Sequence, residues 1–96
     1  MANNGLRVGS VTPRLFQTVT VSPALINANS LSVETYTVNG LQTDMITLTH
    51  QQITQAGIVL LHSRVSAANT LEVTWFNGTS GSITPTAGQF LDLVAF

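Results

Sequence analysis

The chain has 96 residues, which is enough for one small domain with a single modest core. Only 7% of its residues are charged, against roughly 25% in an ordinary soluble domain, and it contains neither lysine nor cysteine. The absence of cysteine excludes a disulfide framework and a thiolate metal site, and a net charge of −1 with three scattered arginines argues against a nucleic-acid partner.

Residues 1–13 are predicted to form an extended N-terminal arm outside the core, because this segment is polar and contains glycine. Its spaced apolar side chains, with an arginine among them, suit a tail laid along the surface of a neighbouring protein. The alternative is a frayed terminus, which is the usual state of such segments.

From residue 14 onward the pattern predicts strands only. Residues 51–56 are ambiguous between one helical turn and a loop, and no other segment carries helical periodicity. Six or seven short strands with turn signals between them indicate an all-β fold for residues 14–96, an antiparallel sandwich or small barrel. At this point immunoglobulin-like and jelly-roll connectivity both remain open. The strand-like segments are 14–21, 30–38, 44–50, 57–65, 70–77 and 89–96.

Alternation within these segments predicts which side chains share a face. Val19 and Val21 lie on one face of the first segment. In the third segment the pattern predicts Ile46 and Leu48 inward, with the intervening threonines outward. In the fifth segment the predicted inward side chains are Leu71, Val73 and Trp75.

Two segments are apolar on both faces. Four apolar residues are contiguous at the start of 57–65, and the last segment carries large apolar side chains at both odd and even positions. In a two-layer domain only one face of a strand meets the core, so another subunit is the economical cover for the second face. The alternative is a sheet that curls until both faces touch the core. The predicted subunit-interface residues are Ile58, Leu60, Phe90, Val94 and Phe96.

No residue set in the sequence predicts catalysis, a cofactor or a metal ion. His50 and His62 lack the spacing of a zinc site, and the few carboxylates are expected on solvated outward positions. Trp75 is predicted to fill the core rather than to form a sugar-stacking platform with Tyr36 and Phe76. An enzyme is therefore not expected, because a nucleophile, a base and its orienting group do not occur together.

The surface and the termini add further expectations. The low charge favours a surface covered by partner proteins, because interface cores are depleted in charge; the alternative is a β domain kept in solution by neutral polar groups. The N-terminal residues lack the apolar core of a signal peptide, so the glycosylation motif that begins at Asn77 is expected to be accidental. No apolar run approaches the roughly 20 residues that span a bilayer, so no membrane partner is expected.

Two stretches in the last third of the chain form a distinctive pattern. They are Arg64-Val65-Ser66-Ala67-Ala68-Asn69-Thr70-Leu71-Glu72-Val73 and Phe76-Asn77-Gly78-Thr79-Ser80-Gly81-Ser82-Ile83-Thr84-Pro85-Thr86-Ala87-Gly88. The pattern is a strand of the arginine-valine…alanine-asparagine-threonine type, a connection that contains proline and glycine, and a final apolar strand. In this pattern the last third of the chain resembles the small virion proteins of tailed bacteriophages, and most of all their capsid decoration, or cement, proteins.

This resemblance implies a β-sandwich, of jelly-roll type, that sits on the exterior of the phage head as a homo-oligomer, with a trimer preferred over a dimer. It implies the major capsid protein as partner, synthesis in the cytoplasm of the bacterial host and no enzymatic activity. The alternative is a carbohydrate- or receptor-binding β module of a phage tail or fibre, which predicts exposed aromatic side chains at loop tips. The residues expected to contact the capsid are Leu6, Arg7, Val8 and Arg14.

Overall fold

The computed structural model describes residues 12–96, and this part of the chain contains six strands and no helix. The predicted all-β class is therefore confirmed, and in the ambiguous segment 51–56 Gln51 ends β3 and residues 52–56 form a loop. In residues 12–96 there is no helix of the length and apolarity that crossing a membrane requires. The strands are β1 (Leu15–Val21), β2 (Ser30–Thr37), β3 (Thr47–Gln51), β4 (Ile58–Ala67), β5 (Thr70–Asn77) and β6 (Gln89–Ala95).

The six strands form two antiparallel sheets of three strands each. One sheet has the order β1-β6-β3 and is called the β6 sheet here, after its central strand; the other has the order β2-β5-β4 and is called the β5 sheet. The first four strands alternate between the two sheets along the chain. Only β4 and β5 are consecutive strands of the same sheet, so they form the only hairpin of adjacent strands in the described part of the chain.

Both sheets contribute side chains to one hydrophobic core. The two central strands each bury one complete face, because alternate residues point to opposite sides of a strand. The alternation predicted for β5 and β6 and the shared face of Val19 and Val21 are confirmed by their burial. The fully buried side chains of the central strands are Leu71, Val73, Trp75, Leu91, Leu93 and Ala95.

The predicted facing of β3 is wrong. Ile46 and Leu48 are 71% and 62% exposed, whereas Thr47 and Thr49 point towards the β5 sheet. Each threonine hydroxyl lies 2.8 Å from the hydroxyl of Ser63 on β4. β3 and β4 are edge strands, so the space between them lies at the rim of the core, where a hydroxyl pair is satisfied without deep burial. The inward positions are therefore polar and the apolar side chains point outward.

The structure also corrects the expected placement of Ile58. This side chain is only 4% exposed and belongs to the core, and Leu60 on the same face of β4 is half-buried against it. The exposed side chains at the start of β4 are instead Val59 and Leu61. The strand is apolar on both faces, as predicted, but Ile58 and Leu60 occupy the inner face rather than the one available to another subunit.

One end of the molecule is tied together by Asn69, in the turn of the β4–β5 hairpin. Its backbone has a positive φ of 59°, which asparagine tolerates better than most residues. The Asn69 carbonyl accepts from Val38 N at 2.9 Å, and Asn69 N donates to Leu41 O at 2.9 Å. The Asn69 Oδ1 atom accepts from Gly40 N at 2.8 Å. These three hydrogen bonds attach the β2–β3 connection to the turn of the β4–β5 hairpin.

The opposite end is tied together by the buried side chain of Asn77. Its Nδ2 atom donates to Ile26 O at 3.0 Å and to Gly81 O at 2.8 Å. Its Oδ1 atom accepts from Thr79 N at 2.9 Å and from Thr79 Oγ1 at 2.7 Å. The amide group is fully engaged, so the folded chain does not present Asn77 as a glycosylation acceptor, although it begins an acceptor motif.

We expect Asn77→Ala to lower the free energy of unfolding by about 3 kcal/mol, because it leaves polar backbone groups at this end without their partners. Asn27→Ala is the matched control: Asn27 is exposed, so its replacement should change stability by less than about 0.5 kcal/mol. Guanidinium unfolding, followed by the fluorescence of the single tryptophan Trp75, measures both changes. A loss of less than about 1 kcal/mol for Asn77→Ala would show that the loop does not depend on this amide.

Candidate functional site

The ionisable side chains do not assemble into a catalytic or metal site in the described part of the chain. Residues 12–96 contain no group of three or more His, Cys, Asp or Glu residues that could hold a metal ion. His62 is exposed on β4, and His50 contacts a single carboxylate, that of Asp92, at 3.3 Å. Neither histidine is placed beside an activated nucleophile.

Of the three aromatic residues considered as a sugar-binding platform, Trp75 and Tyr36 are used for internal contacts instead, and Phe76 lies on the opposite face of β5. Trp75 is fully buried, as predicted, and its Nε1 atom donates to the Tyr36 hydroxyl at 3.2 Å. The Tyr36 hydroxyl donates in turn to Glu34 Oε1 at 2.7 Å, and Glu34 Oε2 accepts from Ala24 N at 2.8 Å. Burial and then the bond to Glu34 raise the pKa of Tyr36 well above its ordinary value. This network holds the β2 edge of the core.

The most distinctive surface is the outer face of the β6 sheet. The strand register places Phe16 of β1 and Leu48 of β3 on either side of Val94 of β6. Beyond Leu48, Ile46 is joined to Phe96 by two backbone hydrogen bonds, of 3.1 and 2.9 Å. The apolar side chains therefore form two adjacent rows, one of Phe16, Val94 and Leu48 and one of Phe96 and Ile46. The most exposed of them is Phe16, at 74%. These five residues are called the β6 apolar face below.

A polar row borders the β6 apolar face and separates it from Phe90. Its centre is Asp92, which accepts from Gln52 Nε2 at 2.8 Å, from Thr18 Oγ1 at 3.2 Å and from His50 Nδ1 at 3.3 Å. The Gln52 bond, opposed by partial burial and assisted by His50 and Thr18, holds the pKa of Asp92 below its usual range. The carboxylate is thus ionised and already provided with three donors.

The other border of the β6 apolar face is formed by Arg14. Its backbone N donates to Ala95 O at 2.7 Å, and its Nη2 atom contacts Phe96 O at 3.2 Å and Asp44 Oδ1 at 3.4 Å. Arg14 therefore lies on the folded body, next to the apolar rows. The other residues predicted for the arm contact, Leu6, Arg7 and Val8, lie outside the described residues.

The outer face of the β5 sheet carries a second apolar group. Its register aligns Leu31 of β2, Phe76 of β5 and Val59 of β4 in one row, with Val33 and Leu61 exposed nearby. These five residues are called the β5 apolar face. Next to it, Arg64 binds Glu72 through bonds of 2.8 and 3.3 Å, so the charged side chains of this face are paired with each other.

Of the predicted subunit-interface residues, the structure brings Val94 and Phe96 together on the β6 apolar face and places Phe90 beyond the polar row. Sequence reasoning missed the cross-strand partners Phe16 and Leu48, because alternation within one strand does not reveal which strands are neighbours. A monomer seldom exposes so many clustered large apolar side chains unless another surface covers them. The geometry of this face therefore suits contact with another surface.

No family model, no curated protein and no solved structure matches this chain. The argument about function therefore depends on the two apolar faces and on the arrangement of the strands that carry them.

The low pKa of Asp92 gives a prediction about acid stability. A carboxyl whose pKa is lower in the folded chain than in the unfolded chain stabilises the fold above the unfolded-state value of about 4. This contribution is lost as the pH falls through the folded-state pKa. We therefore expect Asp92→Asn to flatten the decline of stability between about pH 5 and pH 2.

Urea unfolding at a series of pH values measures this slope. Gln52→Ala, which removes the strongest donor to Asp92, should give part of the same flattening. If Asp92→Asn kept the slope of the unmodified chain over this range, the proposed stabilisation of the ionised form would be wrong.

Proposed function

We propose that this chain is a non-enzymatic structural protein of a bacteriophage virion, a decoration or cement protein that binds the assembled capsid as an oligomer and stabilises it. The observation that carries the proposal is the β6 apolar face, which is exposed in the single chain and assembled from three strands. The resemblance of the last third of the sequence to capsid decoration proteins gives this binding surface its biological context.

The size of the β6 apolar face supports self-association. Phe16, Ile46 and Leu48 alone expose on the order of 400 Å², and apolar patches of roughly 300–600 Å², the largest on a typical monomer, are often functional. Covering these side chains with a sister subunit removes their apolar area from water on each copy, which is the main favourable contribution to protein association. The face is therefore assigned to a sister subunit, with Phe90, Val94 and Phe96 among its contacts.

The strand order supports a sandwich of jelly-roll type. In a jelly roll the first strand pairs with the last and the second with the last but one, and successive strands alternate between the two sheets. Here β1 pairs with β6, β2 pairs with β5, and the remaining strands β3 and β4 lie next to β6 and β5. The order is that of an eight-stranded jelly roll without its fifth and sixth strands, one from each sheet, so β4 runs directly into β5.

In such a sandwich the two apolar faces lie on opposite sides of the molecule. If both faces joined copies of this chain through two-fold contacts, the copies would form an open filament rather than a closed oligomer. One face therefore serves the oligomer, and the β5 apolar face is left for the shell. The major capsid protein is the proposed partner there, with added contacts from the arm residues Leu6, Arg7, Val8 and from Arg14.

Attachment through an oligomer explains how such a protein would stabilise a shell. A partner that binds only the assembled lattice adds its binding free energy to the stability of that lattice. Several weak contacts made by one oligomer act together, because each bound subunit raises the effective concentration of the next. A trimer offers more such contacts than a dimer and is the preferred state.

The alternative, a carbohydrate- or receptor-binding module of a phage tail or fibre, has no specific support. It requires exposed aromatic side chains grouped at loop tips. Trp75 is buried and the Tyr36 hydroxyl is engaged in the core network, while the exposed Phe16 and Phe90 lie on strand faces.

Substitutions on the β6 apolar face test the self-association proposal. We expect Phe16→Ser combined with Leu48→Ser to weaken self-association at least about 100-fold, because each lost side chain forfeits roughly 2–3 kcal/mol of apolar burial per copy. Light scattering at micromolar concentration measures the molar mass.

The matched control combines Leu31→Ser with Val33→Ser on the β5 apolar face, where both side chains are similarly exposed. This variant should keep the oligomer of the unmodified chain. A monomeric unmodified chain at micromolar concentration would overturn the assignment of the β6 apolar face.

Deletion of residues 2–12 tests the contact with the shell. We expect the shortened chain to keep its oligomeric state and to sediment less with undecorated heads of its phage, because the arm contacts are lost while the apolar faces remain. Equal sedimentation of the full and shortened chains would remove the arm from the proposal. If the full chain did not sediment with the heads at all, the proposed decoration function itself would fail.

A further inference from the structure

The chain contains Asn-Gly steps, at which asparagine is chemically labile. The backbone nitrogen of the glycine attacks Cγ of the asparagine, a five-membered succinimide ring closes, and ammonia leaves. Water then opens the ring to aspartate or isoaspartate, so no reactant other than water is needed. Glycine has no Cβ and offers the least hindrance to this attack. Two of these steps, Asn39–Gly40 and Asn77–Gly78, lie in the described part of the chain, and Asn4–Gly5 lies outside it.

The fold blocks the reaction at Asn77. The side chain is fully buried, and both ends of its amide are held by the four hydrogen bonds that tie the loop. The nucleophile is held as well, because Gly78 N donates to Gly57 O at 2.9 Å. Ring closure would require these contacts to break, which amounts to opening this end of the molecule.

Asn39 is placed very differently. It is exposed in the β2–β3 connection, and in residues 12–96 no hydrogen bond holds its side chain, so Cγ is free to approach the next backbone nitrogen. The structure restrains the nucleophile alone: Gly40 N donates to Asn69 Oδ1 at 2.8 Å. The backbone of Asn69 is itself fixed by bonds to Val38 and Leu41, which keeps this acceptor in position.

The turn geometry explains why the labile step is present. Gly40 has a φ of +99°, a conformation that residues with a side chain rarely adopt. A Cβ there would also lie 3.3 Å from Leu15 Cδ1. The turn therefore requires glycine at position 40. The attack of its backbone nitrogen on Asn39 is restrained by the hydrogen bond from Gly40 N to Asn69 Oδ1.

We propose that Asn39 is a deamidation site of the folded chain and that Asn69 sets its rate by holding the Gly40 N–H group. The modification adds a negative charge to a protein with few charges. Its isoaspartate form lengthens the backbone by one methylene in the connection between the two sheets. This inference is independent of the proposed virion function.

Incubation of the full chain at neutral pH and physiological temperature, followed by tryptic digestion and mass spectrometry, tests the proposal. The arginines at 7, 14 and 64 are the only tryptic sites, so they separate the three Asn-Gly steps onto the peptides 1–7, 15–64 and 65–96. We expect the folded chain to acquire the amide-to-acid mass change at Asn39, located by fragmentation of peptide 15–64, and not at Asn77. In concentrated urea both sites should react at similar rates.

Two substitutions at Asn69 separate the hydrogen bond from the turn. Asn69→Gly keeps the positive φ and removes the acceptor, and should raise the rate at Asn39 about fivefold, the factor that corresponds to one ordinary hydrogen bond. Asn69→Asp keeps an acceptor oxygen and should retain the slow rate.

Asn77 serves as an internal control for unfolding in the same samples. An unchanged rate at Asn39 in Asn69→Gly would overturn the proposal, and so would a parallel rise at Asn77, which would assign the effect to unfolding. Equal reaction of Asn39 and Asn77 in the folded unmodified chain would overturn it as well.

Discussion

The constraint on which the structure depends is that two three-stranded sheets share one core. Each sheet has two faces, and a chain of this length can cover only one face of each. The central strands β5 and β6 satisfy this requirement by burying Leu71, Val73 and Trp75 from one side and Leu91, Leu93 and Ala95 from the other. The opposite faces carry apolar rows in place of the charged residues that would make them indifferent to association. The molecule therefore combines a well-buried core with apolar side chains exposed on the outer faces of both sheets.

The rim of the core explains why those exteriors are apolar. At the β3–β4 edge the inward positions are hydroxyls, with Ser63 bound to two threonines. At the β2 edge the inward positions carry Tyr36 and Glu34. The Tyr36 hydroxyl accepts from the Trp75 indole N–H and donates to the Glu34 carboxylate. Residues alternate along a strand, so the residues between these polar inward positions point outward. In β2 and β3 the outward residues include Leu31, Val33 and Leu48, which are apolar. The usual arrangement of an antiparallel sheet, with apolar residues inward, is inverted in the edge strands β2 and β3, whereas β1 and β4 keep apolar residues such as Val19 and Ile58 inward.

The same inversion separates what the sequence could predict from what it could not. The strand limits were predictable within a few residues, because turn-forming residues such as Asn69 and Asn39–Gly40 separate the apolar segments. The facing of β5 was predictable because its inward set includes the only tryptophan. The facing of β3 was not, since alternation defines two faces and leaves open which one is inside; only the position of Ser63, in another sheet, decides it. Ile58 was misplaced for the same reason: in a run of four apolar residues, alternation does not show which positions face the core.

The candidate site was predictable to the same limited extent. Val94 and Phe96 could be identified because segment 89–96 carries large apolar side chains at both odd and even positions. Phe16 and Leu48 could not, because they join this surface only through the order β1-β6-β3, which brings together three strands that are far apart in the sequence. A surface built from three segments that are distant in the sequence leaves no local signal in any one of them.

The two asparagine ties connect the core to the proposed role. Asn69 attaches the β2–β3 connection to the hairpin of β4 and β5, and Asn77 attaches the loops that contain Ile26 and Gly81. All three connections, β2–β3, β1–β2 and β5–β6, run between strands of different sheets, so the ties oppose sliding of one sheet against the other. A protein that holds a sister subunit with one face and a shell with the other needs this rigidity, because any sliding would be transmitted to the second contact. In a chain with so few charges, the side-chain amides of Asn69 and Asn77 supply directional bonds that salt bridges supply elsewhere.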